Sequence, residues 1–513
     1  MKVVIIGSGI SGLTAALYML QDGHQVVVLE QYQTPGGVTA AIRRDGYTWE
    51  QGQMLVEGFG PGEVVGTILS ELGIFDQIQT VRDDRAYSFP DFEICRPDQY
   101  AGPAWRIEHL KQIFPAESGN LDRYHRFYGR IMKLRALAFS AERSRGLSAI
   151  LSKLRLYAAL LPLWSKRNWS AERMADHLFD DDKLKAVFLA LLADFVVRPS
   201  QFQGLGIPAI NPESAFERRL DLTAEGIPQP SYRNIVGGCD ALVSVMVREI
   251  EAQGGRISCS AEVERIRIER NRATGVELAD GKVEPADLVI ASGGAREVFL
   301  GLVGKSSLPD EFVQKIEDVP LMESVFMVHL GIDFDPLQYQ KNPVCYYYRT
   351  YDIEKGVEEV QSGRYSEGDD GFLIYIPSVN SPEMAPEGHH AVTVYTIAPD
   401  TLADGSWAEK SEEYAEKLLD HAERIMPGLK SAAGPRIIVT PDDFKKRIRS
   451  NHHSFGGAAP VMGRPGAPYR APVDGLWFVG AQSQSGAGVN NVMHGVWQAV
   501  TEIRKSAMDA GDG

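Results

Sequence analysis

Residues 2–37, KVVIIGSGISGLTAALYMLQDGHQVVVLEQYQTPGG, decide the fold. Lys2–Ile6 is a short, β-branched run that ends at a glycine, and residues 25–30 repeat this pattern, so both segments predict buried strands. Apolar residues recur at helical spacing over residues 10–22 between them. Two buried strands around one helix predict a parallel βαβ unit.

A glycine-rich loop joins the first strand to the helix, as Gly7-x-Gly9-x-x-Gly12. Such glycines permit a tight turn, close approach of a pyrophosphate to the backbone, and close helix–sheet packing. The pyrophosphate would meet the free N–H groups of the helix N-terminus. Glu30 ends the second strand, where a carboxylate accepts the hydroxyls of an adenosine ribose and repels a 2′-phosphate. The sequence therefore predicts a dinucleotide site that disfavours NADP.

A second glycine pair, Gly36-Gly37, follows the acidic residue. Such a pair resembles the flavin-dinucleotide oxidoreductases, in which the chain crosses the pyrophosphate again and needs backbone without side chains. The alternative is a simple turn at Pro35-Gly36.

The C-terminal part contains a comparable strand–loop–helix segment, GLWFVGAQSQSGAGVNNVMHG at residues 475–495. A buried strand ends at Gly480, and Gly486-Ala487-Gly488 precede a helix predicted from about Val492 to Lys505. Small residues at a helix N-terminus let backbone N–H groups face an anion or a polarised carbonyl. In a flavoprotein that group would be the flavin C2 carbonyl and N1 region.

These segments together resemble the phytoene desaturase-like branch of the FAD-dependent amine oxidase superfamily, which includes carotenoid desaturases, carotenoid isomerases and retinol saturase. GYTWEQG at 46–52, VGGCDALVSVMVREIEAQGG at 236–255 and AEVERIRIERNRATGVELADG at 261–281 extend the resemblance along the chain. The resemblance implies bound FAD, with Val263 near the adenine. We expect it to be bound non-covalently, because no cysteine lies in the C-terminal glycine loop. The predicted cofactor-binding residues are Gly7, Ser8, Gly9, Ile10, Ser11, Gly12, Glu30, Gln31, Gly36, Gly37, Val38, Val263, Gly293, Gly480, Ala481, Gly488, Val489 and Asn490.

Four positions depart from the pattern of that family. Val38 follows the glycine pair where a basic residue is common, and Glu50 stands where Asp is more usual. Ser485 replaces a common Pro, and Ala481 follows Gly480 where amine oxidases carry Glu. These changes leave FAD binding intact, but they do not identify the substrate.

The predicted fold class is α/β, with a Rossmann-like FAD-binding domain assembled from N-terminal, middle and C-terminal segments. We expect this domain to comprise residues 1–75, 230–305 and 440–513. An inserted substrate-binding domain with a mixed sheet and a helical insertion would comprise residues 76–229 and 306–439.

The insertions have their own patterns. Residues 65–200 predict mostly helix, whereas strands are predicted at 322–332, 371–377 and 390–398, followed by a helix at 406–426. Tyr346-Tyr347-Tyr348 predicts an aromatic strand in the core, with a pocket wall as the alternative.

Composition excludes several classes of protein. The net charge of −15 disfavours a nucleic-acid binder. The four cysteines form no CxxC motif, so we expect a reduced, cytoplasmic chain without a metal site. No uncharged apolar run approaches 18 residues and the N-terminus lacks signal-peptide features, so neither a membrane span nor a signal peptide is expected. The oligomeric state stays open.

Residues 145–167, RGLSAILSKLRLYAALLPLWSKR, combine apolar residues at helical spacing with basic residues and two aromatic residues. A basic amphipathic helix of this kind can lie in a membrane interface and contact a bilayer peripherally. A helix that faces the core of the insertion is the favoured alternative.

The predicted function is hydride transfer between flavin N5 and an apolar, isoprenoid- or polyene-like substrate. Oxidation of an amine or other polar metabolite by oxygen is one alternative, and a non-catalytic prenyl- or lipid-binding protein is another. His452 and His453 are the predicted catalytic residues, because imidazole titrates near neutrality and desaturation must release a proton. Surface or structural histidines are the alternative.

Overall fold

The computed structural model describes residues 1–52, 54, 56–60, 63–213, 216 and 232–511. In chain order, its strands are β1 (Lys2–Ile6), β2 (Gln25–Leu29), β3 (Ala41–Arg44), β4 (Tyr47–Glu50), β5 (Val56–Glu57), β6 (Thr80–Arg82), β7 (Arg85–Ser88), β8 (Glu93–Ile94), β9 (Tyr232–Ile235), β10 (Arg256–Ser258), β11 (Val263–Glu269), β12 (Arg272–Leu278), β13 (Val283–Pro285), β14 (Leu288–Ala291), β15 (Ser324–Ile332), β16 (Val344–Tyr348), β17 (Gly371–Tyr375), β18 (His390–Ala398), β19 (Arg436–Val439) and β20 (Leu476–Phe478).

The α-helices are α1 (Ile10–Gln21), α2 (Val64–Glu71), α3 (Trp105–Ile113), α4 (Ser118–Arg143), α5 (Gly146–Leu160), α6 (Ala171–Leu178), α7 (Asp182–Leu189), α8 (Ile207–Ile210), α9 (Cys239–Ala252), α10 (Asp310–Glu317), α11 (Ile353–Gln361), α12 (Trp407–Ile425), α13 (Pro441–Ile448) and α14 (Val489–Gly511). Short 3₁₀ turns connect many of them, and Glu297–Gly304 forms a π-helical segment.

A parallel five-stranded sheet, in the order β10-β2-β1-β14-β20, forms the first core of the described chain. Its central strands are buried on both faces, as their continuous apolar runs predicted. Helices α1, α9 and α14 pack together on one side of this sheet, around one apolar cluster. The predicted α/β fold is confirmed.

A seven-stranded mixed sheet, in the order β19-β15-β18-β17-β16-β7-β8, forms the second core. Helix α12 packs on one of its faces, and helices α3, α4, α6, α7, α8 and α11 pack on the other. Every strand of the parallel sheet falls in residues 1–75, 230–305 or 440–513, and every strand of the mixed sheet falls in the predicted insertions. The predicted boundary at 229/230 lies outside the described residues, and the division into domains stays a prediction.

Residues 65–200 are mostly helical, as predicted, but their N-terminal part also contains the strands β6, β7 and β8. These strands are only two to four residues long, and two of them pair with the distant strand β16 or with each other. Because periodicity is weak in such short strands, their partners decide their conformation.

Residues 146–166 contradict the favoured expectation of a core-facing helix. No side chain of α5 is buried, and only 6% of its most apolar window lies inside the protein. By length and composition Gly146–Lys166 qualifies as a candidate membrane span, with a mean hydropathy of 1.3. The expectation of no such segment rested on uncharged runs alone, and Lys153 and Arg155 interrupt this one.

Candidate FAD site

A cleft opens at the carboxyl edge of the parallel sheet. Gly7 follows β1, Glu30 follows β2, Ser292 follows β14 and Gly480 lies just beyond β20, and all four line a cavity of about 350 Å³. Strand order reverses on either side of β1, so the cleft lies at the topological switch point where open α/β sheets bind ligands.

Some glycines of the first loop line this cleft, and another packs behind the loop. Gly7 and Gly9 line the cleft, and a Cβ at Gly9 would meet no atom within 4 Å. Gly12 does not line it, because Gly12 packs against the loop from behind. A Cβ there would lie 2.0 Å from the Gly7 carbonyl oxygen. The loop thus requires Gly12 for close helix–strand packing, and Gly9 leaves its backbone accessible to a ligand.

Glu30 lies in the cleft with a buried carboxylate. Its Oε2 accepts hydrogen bonds from the backbone N–H (2.9 Å) and the hydroxyl (2.6 Å) of Ser8, and its Oε1 accepts one from the Tyr32 N–H (2.8 Å). Ser8 itself therefore orients the acid behind the cleft rather than lining it. Oε1 keeps acceptor capacity for a ribose hydroxyl, whereas Oε2 already accepts two hydrogen bonds.

The second glycine pair crosses beside the first loop, as the sequence predicted. Gly36 has φ 111°, and a Cβ at Gly37 would lie 3.4 Å from the Gly9 Cα. The Arg447 guanidinium stands over this crossing, with Nε 3.4 Å from the Gly37 carbonyl oxygen and Cζ 3.6 Å from the centre of the Tyr32 ring. Arg447 thus brings from α13 the positive charge that Val38 does not supply.

The C-terminal loop closes the opposite side of the cleft. Gly480, Ala481, Gly488 and Val489 all line it at the N-terminus of α14. Asn490 does not line it: its side chain turns away, and a Cβ at Gly58 would meet the Asn490 Oδ1 at 2.7 Å.

The remaining predicted residues line the cleft as expected. These are Ile10, Ser11, Gln31, Gly36, Gly37, Val38, Val263 and Gly293. Beyond Gln31 and Glu262 the cleft continues into a wider groove of about 1020 Å³. Five basic side chains line that groove, Arg256, Lys282, Lys446, Arg447 and Arg449, and three of them pair with the acidic lining residues Glu284, Asp280 and Glu262. An elongated cavity with a small excess of positive charge at one end suits an elongated anionic ligand.

The family model described as flavin containing amine oxidoreductase matches residues 10–500. The chain belongs to this family. The match confirms the predicted superfamily, and it makes the protein an FAD-dependent oxidoreductase.

Two curated relatives match along nearly the whole chain. Phytoene desaturase (lycopene-forming) of Pseudescherichia vulneris is 24% identical over 505 residues, which cover 96% of each protein. Prolycopene isomerase 2, chloroplastic, of an Oncidium hybrid cultivar is 25% identical over 508 residues, which cover 95% of this chain and 81% of that protein. An oxidoreductase from Methanosarcina mazei has a similar solved structure, with a TM-score of 0.61 at 19% identity over 98% of this chain and 100% of that one. That likeness supports the fold.

The cleft fits FAD. Two glycine loops present open backbone at helix N-termini, a carboxylate ends β2, and a buried guanidinium stands beside the crossing glycines. When bound, FAD accepts or donates a hydride at flavin N5. The protein positions the cofactor and excludes water from it, and Val298, Leu302 and Phe455 form an apolar wall of the cleft. Non-covalent attachment stays a prediction.

Sequence reasoning missed several residues of this flavoprotein's cleft. They are Thr39, Ala261, Glu262, Ser292, Gly294, Glu297, Val298, Leu302, Arg447, Ile448, Arg449, Ser454, Phe455, Gly456, Gly457, Gln482 and Val492. Gly456-Gly457, just after the histidine pair, was the one signal available. A Cβ at Gly457 would lie 2.3 Å from the Ala481 carbonyl oxygen, so this pair packs tightly on the C-terminal loop.

Neither predicted catalytic histidine lines the cleft. His453 is 1% exposed; its Nδ1 lies 2.6 Å from the Ser324 hydroxyl, and its ring stacks on Phe444. Burial lowers the pKa of His453 to about 3, so this imidazole is neutral at physiological pH. His452 Nε2 donates to the Met322 carbonyl at 2.8 Å. The geometry gives both side chains structural contacts, and their catalytic role stays a prediction.

Glu50 does not line the cleft, and its carboxyl group binds the start of a helix instead. Both of its carboxylate oxygens accept a hydrogen bond from the Cys239 backbone N–H at the start of α9, at 2.9 and 3.2 Å. Burial raises the pKa of Glu50 to about 8, although the Cys239 N–H opposes this shift. Among the described residues, no group of three or more His, Cys, Asp or Glu side chains could hold a metal ion.

Proposed function

We propose that this flavoenzyme transfers a hydride between flavin N5 and an apolar, polyene-like isoprenoid. The observation that carries the proposal is the match of nearly the whole chain to a phytoene desaturase and to a prolycopene isomerase.

The alternatives have less support. The matched relatives named above act, by their names, on carotenoids. They give no support to the oxidation of a polar amine. A non-catalytic prenyl-binding protein would not need the buried Glu30 carboxylate and both open glycine loops, which are present.

Anaerobic flavin spectroscopy tests the substrate class. The holoenzyme would be mixed with acyclic C30 and C40 polyenes, with a monoamine and with putrescine, and flavin absorbance near 450 nm would be followed. We expect bleaching by at least one polyene, or reoxidation of chemically reduced enzyme by it, and no response to either amine. Bleaching by an amine alone would contradict the proposal.

Proton release is proposed to involve His452 or His453. If one of them accepts the substrate proton, its replacement by Ala slows flavin reduction at least about tenfold while FAD stays bound. A structural role predicts a different result for His453→Ala: a lower Tm, because Ser324 loses its partner, and an unchanged rate of reduction per bound flavin. His329→Ala is the matched control, since His329 is also buried, bonded to Thr393 and absent from the cleft lining.

We further propose that residues 145–167 dock on an anionic bilayer, which would supply a lipid-phase substrate. Seven large apolar side chains of this segment are 56–81% exposed, whereas Leu163 is buried; the seven are Leu147, Ile150, Leu151, Leu154, Tyr157, Leu161 and Trp164. Basic residues flank them at Arg145, Lys153, Arg155, Lys166 and Arg167. Exposed apolar area of this extent is unusual on a soluble surface, and its basic flanks complement anionic lipid.

An interfacial position is favoured over a membrane span. Lys153 and Arg155 would lie in the middle of the span, where each charge costs about 2.5–3.5 kcal/mol on the insertion scale. The α-helix also ends at Leu160, ahead of Pro162 and a 3₁₀ turn. The proposed localisation is therefore cytoplasmic, with peripheral attachment to a membrane.

Liposome sedimentation tests this contact. Binding should increase with the fraction of anionic lipid and decrease with salt, because exposed charges are screened. Replacing the basic set Lys153, Arg155, Lys166 and Arg167 with Gln should reduce binding at least tenfold. The control replaces four exposed basic residues elsewhere, Arg265, Arg267, Lys305 and Lys341, and should bind as the native protein does. Equal binding by both variants would contradict the proposed surface.

A further inference from the structure

One face of the mixed sheet carries a transverse row of tyrosines. Tyr87 on β7 lies directly opposite Tyr346 on β16, and Tyr395 on β18 lies two strands further along in the same row. Tyr348 follows two residues after Tyr346, so it occupies the same face of the sheet. The rings are in contact, with centroids 5.0 Å apart for Tyr87–Tyr346 and 6.1 Å apart for Tyr346–Tyr348. All four side chains are at least 91% buried.

Two buried donors in this face have no hydrogen-bond partner among the described residues. The Tyr348 hydroxyl is one of them, and Nη2 of Arg85, in the neighbouring row, is the other. Arg85 Nε donates to Asp83 at 2.5 Å, which neutralises the guanidinium charge. The Tyr87 hydroxyl lies near the guanidinium without making a bond of normal length to Nη2. Unpartnered buried donors are uncommon in folded proteins and call for an explanation.

Asp194 adds a third polar group to the same cluster. It follows α7 on the helical side, and it interacts with Tyr346 and with the Arg85 charge. Burial raises the pKa of Asp194 to about 7, so a large fraction of this carboxyl is protonated near neutrality and can donate a hydrogen bond. Two residues further on, Val196 has φ 45°, a strained conformation for a β-branched residue that is held in place by its buried surroundings.

The cluster connects to the FAD cleft through a single aromatic contact. Phe455 lines the cleft, and its ring centroid lies 6.1 Å from that of Tyr395. Phe455 also packs against the apolar cluster that contains the tyrosine row. The tyrosine row therefore begins beside a residue of the cleft wall and leads to the unpartnered donors.

The Tyr348 hydroxyl, Arg85 Nη2 and the protonated Asp194 carboxyl place several hydrogen-bond donors at the far end of an apolar surface. A hydrocarbon end would leave the Tyr348 hydroxyl and Arg85 Nη2 unsatisfied, whereas a neutral acceptor oxygen would satisfy them. A carboxylate end is less suitable, because Asp194 would repel it when ionised. A carbonyl oxygen combines strong acceptor character with no charge.

We propose that this face binds a carbonyl-bearing end of the polyene, through a donor subsite formed by Arg85, Tyr87, Asp194, Tyr346, Tyr348 and Tyr395. The inference rests on the proposed polyene function and goes beyond it, because it requires an oxygenated rather than a purely hydrocarbon substrate.

A matched pair of probes tests the subsite in the FAD-loaded enzyme. The probes are all-trans retinal and the hydrocarbon in which a methyl group replaces its aldehyde. Affinity is measured by quenching of protein fluorescence, and hydrogen bonding to the carbonyl by the red shift of retinal absorption. We expect retinal to bind about tenfold more tightly than the hydrocarbon, and with a red shift.

The variant Tyr348→Phe removes one donor without changing the shape of the face. It should lower the preference for retinal about two- to tenfold and reduce the red shift, while hydrocarbon affinity stays the same. Tyr365→Phe is the matched control, because Tyr365 is equally buried with an unpartnered hydroxyl but packs on the opposite face of the sheet. This control should change neither value.

The outcomes separate the two proposals. If the native enzyme binds both probes equally, or if Tyr348→Phe keeps the full preference for retinal, the subsite is wrong and the polyene function stands. If neither probe binds, the polyene function fails and the subsite fails with it.

Discussion

The FAD cleft and the tyrosine face recognise ligands by different means. The cleft at the edge of the parallel sheet presents mostly backbone, from Gly7 to Gly9, at Gly36-Gly37 and at Gly488. The tyrosine face presents side chains from strands that are far apart in the chain, since Tyr87 and Tyr395 are more than 300 residues apart. In the sheet, Tyr87 lies one strand from Tyr346 and three strands from Tyr395.

This difference explains why only one of the two sites is visible in the sequence. Backbone recognition requires glycine at fixed offsets within one strand–loop–helix unit, and such offsets form a motif. Recognition by side chains across a sheet depends on strand register, which no local pattern records. Substitutions in the cleft should therefore have large, local effects, and those that act through tertiary contacts should have smaller ones.

The largest effect is expected from Gly12→Ala. The new Cβ would lie 2.0 Å from the Gly7 carbonyl oxygen, so the loop would have to move and FAD should be lost from the purified protein. The flavin-to-protein absorbance ratio and the Tm measure this loss.

Gly119→Ala is the control, because a Cβ at that position in α4 meets nothing within 4 Å. It should keep FAD and raise stability by up to about 1 kcal/mol. Native flavin content in Gly12→Ala would show that the loop does not depend on this packing.

Glu30→Ala should weaken FAD binding by about 1.5–3 kcal/mol, roughly ten- to 150-fold, because charge-assisted hydrogen bonds to the ribose are lost. Titration of the apoprotein with FAD, followed by flavin fluorescence, gives the Kd. Glu262→Gln is the control, since Glu262 lines the same cleft but pairs with Arg449. Similar losses in both variants would mean that Glu30 has no specific contact with the adenosine.

Arg447→Ala should weaken FAD binding about tenfold and reduce its salt dependence, since the guanidinium contributes positive charge beside the crossing glycines. The neighbouring Lys446→Ala is the control, with a side chain that is 78% exposed. This comparison asks whether the cleft depends on a residue from outside its local motifs. Unchanged affinity and salt dependence in Arg447→Ala would show that it does not.

Glu50→Gln should have the smallest effect on FAD binding, and it should change the pH dependence of stability. The pKa of Glu50 is raised from 4.5 to about 8 in the folded protein, so the folded state binds more protons than the unfolded state between these values. Stability is therefore highest at low pH with respect to this group, and it decreases as pH rises through this range.

The variant removes that slope. Between pH 5.5 and 8 it should lose less unfolding free energy than the native protein, by about 3 kcal/mol, as measured by denaturant unfolding. Parallel pH profiles for the two proteins would contradict the raised pKa.

The sequence predicted most of the cleft, and the exceptions have physical reasons. Ser8 and Gly12 belong to the motif but support the loop from behind, which spacing alone does not distinguish from lining the cleft. Asn490 follows the lining residue Val489, and the first turn of α14 rotates its side chain away from the cleft. Arg447 was missed because its role depends on where α13 packs.

The helical insertion was harder to predict. Apolar spacing over residues 145–167 indicated an amphipathic helix correctly, yet the favoured core-facing orientation was wrong. Periodicity identifies which residues share a face, but it does not say whether protein or lipid covers that face.

The sequence by itself determined β1, α1, β2, the first glycine loop and the acid that follows β2, because these depend on contacts within one βαβ unit. It also determined the family and with it the FAD cofactor. Only the tertiary structure decided that Arg447 reaches Gly37, that residues 146–166 are exposed, and that tyrosines from three strands meet one carboxyl group. Those features arise from the register and packing of segments far apart in the chain, and such contacts leave no pattern in any single stretch of sequence.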